Sequence, residues 1–302
     1  MQNLDWQPPA PSLAALSDHP EKVHEPGGLF AGGLTAGRTL NFQYYHLGQL
    51  EGDSPGIDLV VSNTGSSPAQ VYLRQGVGKP SKDYFSTGHT NNVQWLRAQS
   101  SGLGQVFTIP AGETVTVFRQ NLPYDQVVSG LLGLTEMEGP PLQFAFAAHA
   151  FEGQALALDN MLSKEDVHSR GFYPAPVQRI ERSYRVGQEP LQVAVGNVRQ
   201  QTFSGVRELR GDYGVTYELT FHLVNPTAKA AKVQFVFNPR GGNATGTFLF
   251  ADQLIEVPNT PAFQEKTLRT MEIPARGNIR VKMTTIPEGA SSYPVRIVVK
   301  GL

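Results

Sequence analysis

The chain has 302 residues, with 25 Lys and Arg against 26 Asp and Glu for a formal net charge of -1, 17% charged residues, 31 Gly, 22 Pro and no Cys. At roughly 100–200 residues per domain this length suggests two domains, each globular and turn-rich. The missing cysteines exclude disulfides, thiolate zinc sites, iron–sulfur clusters and a cysteine nucleophile; the near-neutral charge leaves no basic field for nucleic acid; and no run reaches the ~18 apolar residues of a transmembrane segment.

Residues 1–21, beginning MQNLDWQPPAP, read as a Pro-rich tether. They lack the basic and apolar parts of a signal peptide, so for an exported protein the sequence is expected to be the mature form. Strand signals then dominate, as β-branched and aromatic runs bounded by Gly, Pro, Asn and Asp. In the first half they include LNFQYYHL (40–47), IDLVVSN (57–63), AQVYLR (69–74), QVFTIP (105–110), TVTVFRQ (114–120) and LQFAFAAH (142–149). A polar stretch, DNMLSKEDVHSRG (159–171), follows, in which Ser163 to Asp166 has the form of a capping box opening one helical turn. The second half continues with LQVAVGN (191–197), VTYELTFHLVN (215–225), KVQFVFNP (232–239), TFLFADQLIEV (247–257), KTLRTMEIP (266–274), IRVKMTTIP (279–287) and VRIVVKG (295–301). Turn signals between closely spaced strands are the pattern of antiparallel sandwiches, not of alternating βαβ units.

The halves share a pattern. Asn63, Ala69 and Val71 recur with the same spacing as Asn225, Ala231 and Val233, and Ile109-Pro110-Ala111 recurs at nearly the same offset as Ile273-Pro274-Ala275. The repeated unit is a strand, a tight Asn turn, a returning strand and a Pro-Ala turn into another strand; Asn tolerates turn conformations and Pro is kept out of central strands. The expected fold is therefore all-β: two related immunoglobulin-like β-sandwich domains, at 22–152 and 176–302, joined by a linker (153–175) with a short helix.

Several segments resemble a region of secreted proteins from Gram-positive, spore-forming bacteria, often fused to repeats named after the N-terminal domain of copper amine oxidase. They are SDHPEKVHEPGGLF (17–30), QYYHLG (43–48), VVSNTGSSPAQVYLRQGVGKPSKDYFSTG (60–88), SKEDVHSRGFY (163–173), GDYGVTYEL (211–219) and NPRGG (238–242), with GxGKPSxDY and VHxRG as the unusual patterns. The resemblance implies secretion and attachment to the cell envelope, with no established activity; the name of the fusion partner does not imply copper here.

The polar positions in these segments are the candidate ligand-binding residues: His46, Arg74, Lys79, Asp83, Tyr84, Trp95, His168, Arg170, Tyr213 and Arg240. His168 and Arg170 are expected either to face the Lys79-Pro80-Ser81 loop across an inter-domain cleft or to cap backbone carbonyls. Exposed aromatics among Tyr44, Tyr45, Tyr84, Phe85, Trp95 and Tyr124 would make a sugar-stacking platform, although strand aromatics usually serve the core. Trp95 reads as a loop residue.

Other chemistry has less support. The seven His include no HxH or HExxH pair, and no DxDxDG loop is present, so neither a metal nor another cofactor is expected. A GxSxG elbow is missing, and GVGKPS (76–81) is not a phosphate loop because Pro80 follows the Lys. Asp58, Asp83, Glu136, Glu138 and Asp166 are the carboxylates from which a glycosidase pair would be drawn, but the sequence pairs none of them. Arg210-Gly211-Asp212 is an RGD tripeptide explained by a turn before a strand. The leading expectation is a non-catalytic, exported protein of the extracellular space or cell envelope that binds or displays a polysaccharide or envelope protein. The alternatives are a glycan-acting hydrolase with an inter-domain cleft and a structural spacer.

Overall fold

A computed structural model of the chain describes residues 11–163, 167–202, 208–251 and 253–302. The chain divides into two compact units at Pro176/Val177, with Gln201–Glu208 belonging to the first. Both units are β-sandwiches, and one α-helix is present among the described residues.

In chain order the first unit contains β1 (Pro11–Ser17), β2 (Lys22–Val23), β3 (Gly27–Leu34), β4 (Thr39–Gly48), β5 (Gly56–Ser62), β6 (Ala69–Val77), α1 (Tyr84–Ser101), β7 (Gln105–Ile109), β8 (Thr114–Asn121), β9 (Val127–Glu138), β10 (Leu142–His149) and β11 (Arg170–Tyr173). One sheet has the order β11-β1-β4-β9-β6-β7, with β2 also paired to β4, and the other has β3-β10-β5-β8. Alternation along β4 sends Leu40, Phe42 and Tyr44 into the core, where Phe42 meets Phe146 edge to face at 5.1 Å.

The second unit contains β12 (Val177–Arg185), β13 (Leu191–Val195), β16 (Thr216–Val224), β17 (Ala231–Pro239), β18 (Ala244–Phe250), β19 (Gln253–Thr260), β20 (Lys266–Ile273), β21 (Asn278–Thr285) and β22 (Val295–Gly301). Between β13 and β16 lie two short paired strands, β14 (Gln200–Gln201) and β15 (Glu208–Leu209). The sheets run β12-β16-β21-β18-β19 and β13-β22-β17-β20 around a core of phenylalanines that includes Phe221, Phe235 and Phe250.

The two units share a frame of six strands. β4-β9-β6-β7 corresponds to β13-β22-β17-β20, and β5-β8 corresponds to β16-β21, in the same chain order and with antiparallel pairing throughout. The repeated asparagines explain why. Asn63 leaves β5 in one sheet, and its Nδ2 donates to the carbonyl of Ile109 at the end of β7 in the other (2.9 Å) and to Ser67 (2.8 Å). Asn225 leaves β16 and donates to Ile273 at the end of β20 (3.1 Å) and to Lys229 (2.8 Å). Each Oδ1 accepts from the backbone two residues on, Gly65 N or Thr227 N, closing the turn.

Four expectations need correction. Residues 11–17, read as tether, form β1, which pairs parallel with β4 and antiparallel with β11. Residues 170–173, read as linker, are β11. Both are short, and their ladder partners are distant in sequence, so local pattern alone does not reveal them. Residues 247–257 are two strands, because the chain turns at Phe250–Gln253 into a hairpin. Trp95, read as a loop residue, lies in α1 (Tyr84–Ser101): Asp83 caps the helix N-terminus and Gly102, at φ 65, ends it in the left-handed region. The helical turn expected at Ser163 to Asp166 falls mostly outside the described residues.

The asparagine clamps yield a test. Replacing either by Ala leaves buried carbonyls unpaired, at a cost of about 1–3 kcal/mol. Both tryptophans of the chain lie in the first half, at 6 and 95. In urea unfolding, Asn63→Ala is expected to move the tryptophan-fluorescence transition to lower urea, whereas Asn225→Ala moves a circular-dichroism transition and leaves the fluorescence one in place.

Candidate functional site

The candidate residues separate into three groups. The first surrounds α1. The face of β4-β9-β6 turned away from the core carries α1: Asn91 Nδ2 donates to Ser129 Oγ (2.7 Å), and Trp95, only 2% exposed, sits over Gly133. Glycines let the helix come this close. A Cβ on Gly76 would stand 2.4 Å from the Trp95 nitrogen and one on Gly78 2.3 Å from the Thr87 carbonyl, which accounts for both glycines of GVGKPS. Arg74 lies over the Trp95 ring at 5.5 Å. Trp95 and Arg74 therefore fasten the helix to the sheet, and Trp95 is no surface platform.

The loop that follows β6 is held at one end of the sheet. Ser81 and Val127 exchange both backbone hydrogen bonds (3.1 and 2.8 Å), and Lys82 Nζ pairs with Asp125 Oδ2 at 2.7 Å. Asp125 N in turn donates to the Gly48 carbonyl (2.7 Å), so QYYHLG, GVGKPSKDY and the 122–126 turn meet there. The Lys79 side chain is exposed while its carbonyl accepts from Thr87 Oγ1 (3.1 Å), and Asp83 is committed to Ser86 N as the helix cap. From the paired segments 81–84 and 124–127 two aromatic rings stand out to solvent: Tyr84, 46% exposed and beside Phe85 at 4.8 Å, and Tyr124, 57% exposed. Tyr44, by contrast, is core, its hydroxyl donating to Gln120 Oε1.

The second group ties the N-terminal strands to the rest of the first unit. His46 is fully buried; its Nδ1 lies 2.9 Å from the Pro20 carbonyl, which only accepts, so this nitrogen carries the proton, and Nε2 is 3.0 Å from Ser17 Oγ. Arg170 Nη1 donates to the carbonyls of His19 (3.3 Å), Leu29 (3.3 Å) and Leu162 (2.7 Å). His168 Nδ1 stands 3.7 Å from Glu21 Oε2. Arg170 thus caps carbonyls, the alternative to lining a cleft, and the pieces SDHPEKVH, QYYHLG and VHxRG meet in a structural knot.

The third group lies in the second unit. Tyr213 donates to the Ser291 carbonyl (2.6 Å), and Arg240 stacks over Phe263 at 5.3 Å. Asp212 of the RGD tripeptide is fully buried, accepting from Tyr217 Oη and from Val198 N (2.9 Å), so the tripeptide is a structural turn. The sequence reading missed Phe263; its signal was an aromatic within the turn-forming run PNTPAFQE (258–265), where no strand calls for one.

The carboxylates weighed for hydrolysis are mostly occupied. Asp58 is held in a bidentate pair by Arg119 (2.8 and 2.9 Å), Asp83 caps α1, and Asp166 lies outside the described residues. Glu136 is buried and Glu138 exposed. No group of three or more His, Asp or Glu placed to hold a metal ion occurs among the described residues. No helix there is long and apolar enough to cross a membrane.

No family model and no curated protein matches the chain. Among solved structures, the PBSX exported protein XepA is 11% identical over 91% of this chain and 86% of its own, with a TM-score of 0.18. The tandem CBM22 domains of Paenibacillus barcinonensis Xyn10C are 11% identical over 83% and 80%, with a TM-score of 0.17. Tripeptidyl peptidase 2 is 10% identical, covering 91% of this chain and 23% of its own, with a TM-score of 0.23. With superpositions this poor, function has to be read from this chain's own residues.

Glu136 gives a pH test. Burial raises its pKa above the ordinary 4.5, against the lowering effect of a backbone hydrogen bond from Leu142. The native state then holds this proton more tightly than the unfolded state, so its contribution to stability falls as pH climbs from the ordinary carboxylate range through the raised value. Glu136→Gln is expected to raise the melting temperature at pH 7 and to flatten the decline between acidic and neutral pH in thermal scans.

Proposed function

We propose that the protein is a non-catalytic, exported binder of cell-surface polysaccharide, acting from the extracellular space or cell envelope. The observation that carries the reading is the pair of solvent-exposed tyrosines, Tyr84 and Tyr124, on two segments locked together by the Ser81–Val127 hydrogen bonds and the Lys82–Asp125 ion pair. Large aromatic rings left in water cost free energy unless something covers them, and a rigid support lowers the entropy lost when it does. A sugar ring suits this surface. Its C–H faces pack on tyrosine rings, and its hydroxyls find donors and acceptors in the tyrosine hydroxyls and in Lys79, Lys82 and Asp125 between them. A broad apolar patch of the kind that binds another protein would lack these interleaved charges.

Asp83 is engaged as a helix cap and Asp125 in its ion pair with Lys82.

Calorimetric titration with neutral hexasaccharides of β-linked glucose, xylose and N-acetylglucosamine tests the reading. At least one is expected to bind, and Tyr84→Ala or Tyr124→Ala each to weaken it roughly tenfold without lowering the melting temperature. Undiminished binding by the double variant, or no binding of any hexasaccharide, would count against the tyrosine platform.

A further inference from the structure

Strand direction gathers the loops of the first unit. β4, β6, β8 and β10 run towards one end of the sandwich and β5 and β9 start from it: Leu47 stands opposite Val127, Val77 opposite Gly130, and Gly56 opposite both Asn121 and His149. The 49–55 and 122–126 connections cross between the two sheets there, so the end is common to both. The Asn63 clamp lies at the other end, where β5 and β7 finish.

The exposed aromatic rings of the first unit, among the described residues, all stand at this loop end: Tyr84, Tyr124 and Phe151, the last 50% exposed. Phe151 follows β10 in a tight turn, closed by Gln154 N donating to the Phe151 carbonyl (3.2 Å), with Gly153 at φ 80. The turn is held from two sides. The Ala150 carbonyl just before it accepts from Ser54 N (3.1 Å), and Glu152 accepts from Arg119 Nη1 (2.8 Å), whose other nitrogens hold Asp58. Backbone bonds carry the support on to the tyrosines, since the Pro55 carbonyl accepts from Leu122 N (2.9 Å) and the Gly48 carbonyl from Asp125 N. Phe151 therefore shares a frame with Tyr124 and Tyr84 without standing beside them. Its strand, β10, is two strands from β8, which leads into the Tyr124 turn, a lateral separation of roughly 10 Å.

The surface between these rings is polar and acidic. Glu51 and Asp53 are exposed on the 49–55 connection, and Glu152 adjoins Phe151. Separate rings with charged groups between them do not suit a protein partner, whose interface needs a continuous apolar centre, and exposed carboxylates repel nucleic acid, anionic lipid and acidic sugars. They suit an uncharged polysaccharide. Its C–H faces recur along the chain for the rings, and its hydroxyls donate to carboxylates in the intervals.

We infer that the loop end of the first unit binds an extended, uncharged polysaccharide chain, with Phe151 as a remote subsite for sugar residues beyond those on Tyr84 and Tyr124. The inference rests on the carbohydrate reading of the tyrosines and adds the length and charge of the ligand. A chain long enough to reach Phe151 makes that contact intramolecularly once its other residues lie on the tyrosines, so affinity climbs with chain length until the ring is reached.

The test is calorimetric titration of the full chain with neutral β-linked glucose, xylose and N-acetylglucosamine oligomers of three and of six units, and with hexagalacturonate. In the wild type the six-unit form of a sugar that binds is expected to exceed the three-unit form in affinity by about fivefold or more, with hexagalacturonate weaker than either. Phe151→Ala should erase the gain from three units to six and leave the three-unit affinity unchanged, whereas Phe151→Trp, which restores a ring, should keep the gain. Thermal scans separate loss of binding from loss of fold; should Phe151→Ala prove unstable, Phe151→Leu, which keeps an apolar side chain without the ring, takes its place. A wild-type gain in Phe151→Ala, an equal loss at three units and six, or hexagalacturonate binding as tight as that of the neutral chains overturns the inference, and the tyrosine platform stands if Tyr84→Ala/Tyr124→Ala still loses binding. No binding of any neutral hexasaccharide overturns both.

Discussion

In each unit a buried asparagine joins the two sheets. Asn63 and Asn225 leave one sheet and spend their Nδ2 protons on the last carbonyl of a strand in the other, at Ile109 and Ile273. A sandwich otherwise depends on apolar packing, which is strong but tolerant of sliding; a directional hydrogen bond in a buried place fixes one alignment. The residues that make and receive this bond are those that recur between the halves, Asn at the turn and Ile-Pro-Ala at the strand end. Both units have this sheet-to-sheet clamp, while their strand surfaces, loop lengths and insertions differ.

The divergence is concentrated at one position in the shared frame. After β6 the chain inserts a helix, and after β17 a hairpin. The helix demands a seat, which explains Gly76, Gly78 and Gly133 beneath it and the arginine and tryptophan that stack where it crosses the sheet. The seat also has polar members, Gln43 and Asn91, and the Asn91–Ser129 hydrogen bond places the helix alongside the packing of Trp95 and Leu96. The hairpin needs no such seat because it extends an existing ladder. One insertion therefore closes a sheet face and starts its helix at Tyr84, while the other extends the opposite sheet.

How much of this was legible depended on where each signal resides. Strands with regular alternation or aromatic density, such as residues 40–47 and 295–301, could be read because their burial is written locally. β1 and β11 could not, since among the described residues β1 pairs only with β4 and β11, and β11 with β1, all distant in sequence. α1 was obscured by Gly, Asn and Thr in its body, although its end signals, Asp83 and Gly102, were present. Among the candidate residues, sequence singled out the right chemistry more often than the right task. Arg170 and His46 are polar groups in unusual patterns because buried carbonyls need donors, and Asp83 because a helix needs a cap. Only Tyr84 and Arg240, beside Phe263, remain on the surface with no structural task that accounts for the aromatic they carry or accompany.

Two small aromatic surfaces on one chain bear differently on a polymer than on a small molecule. Each surface alone offers few contacts, and a modest contact area gives modest affinity once orientation is fixed. Linking them in one chain makes the second contact intramolecular whenever the ligand can reach both. Under the reading proposed above, separate repeats of one polysaccharide meet the two surfaces, the tyrosine pair and Phe151, without a small ligand having to span them. Each sandwich joins its sheets through an asparagine, and the rings it leaves in water include Tyr84, Tyr124 and Phe151 in the first unit and Phe263 in the second.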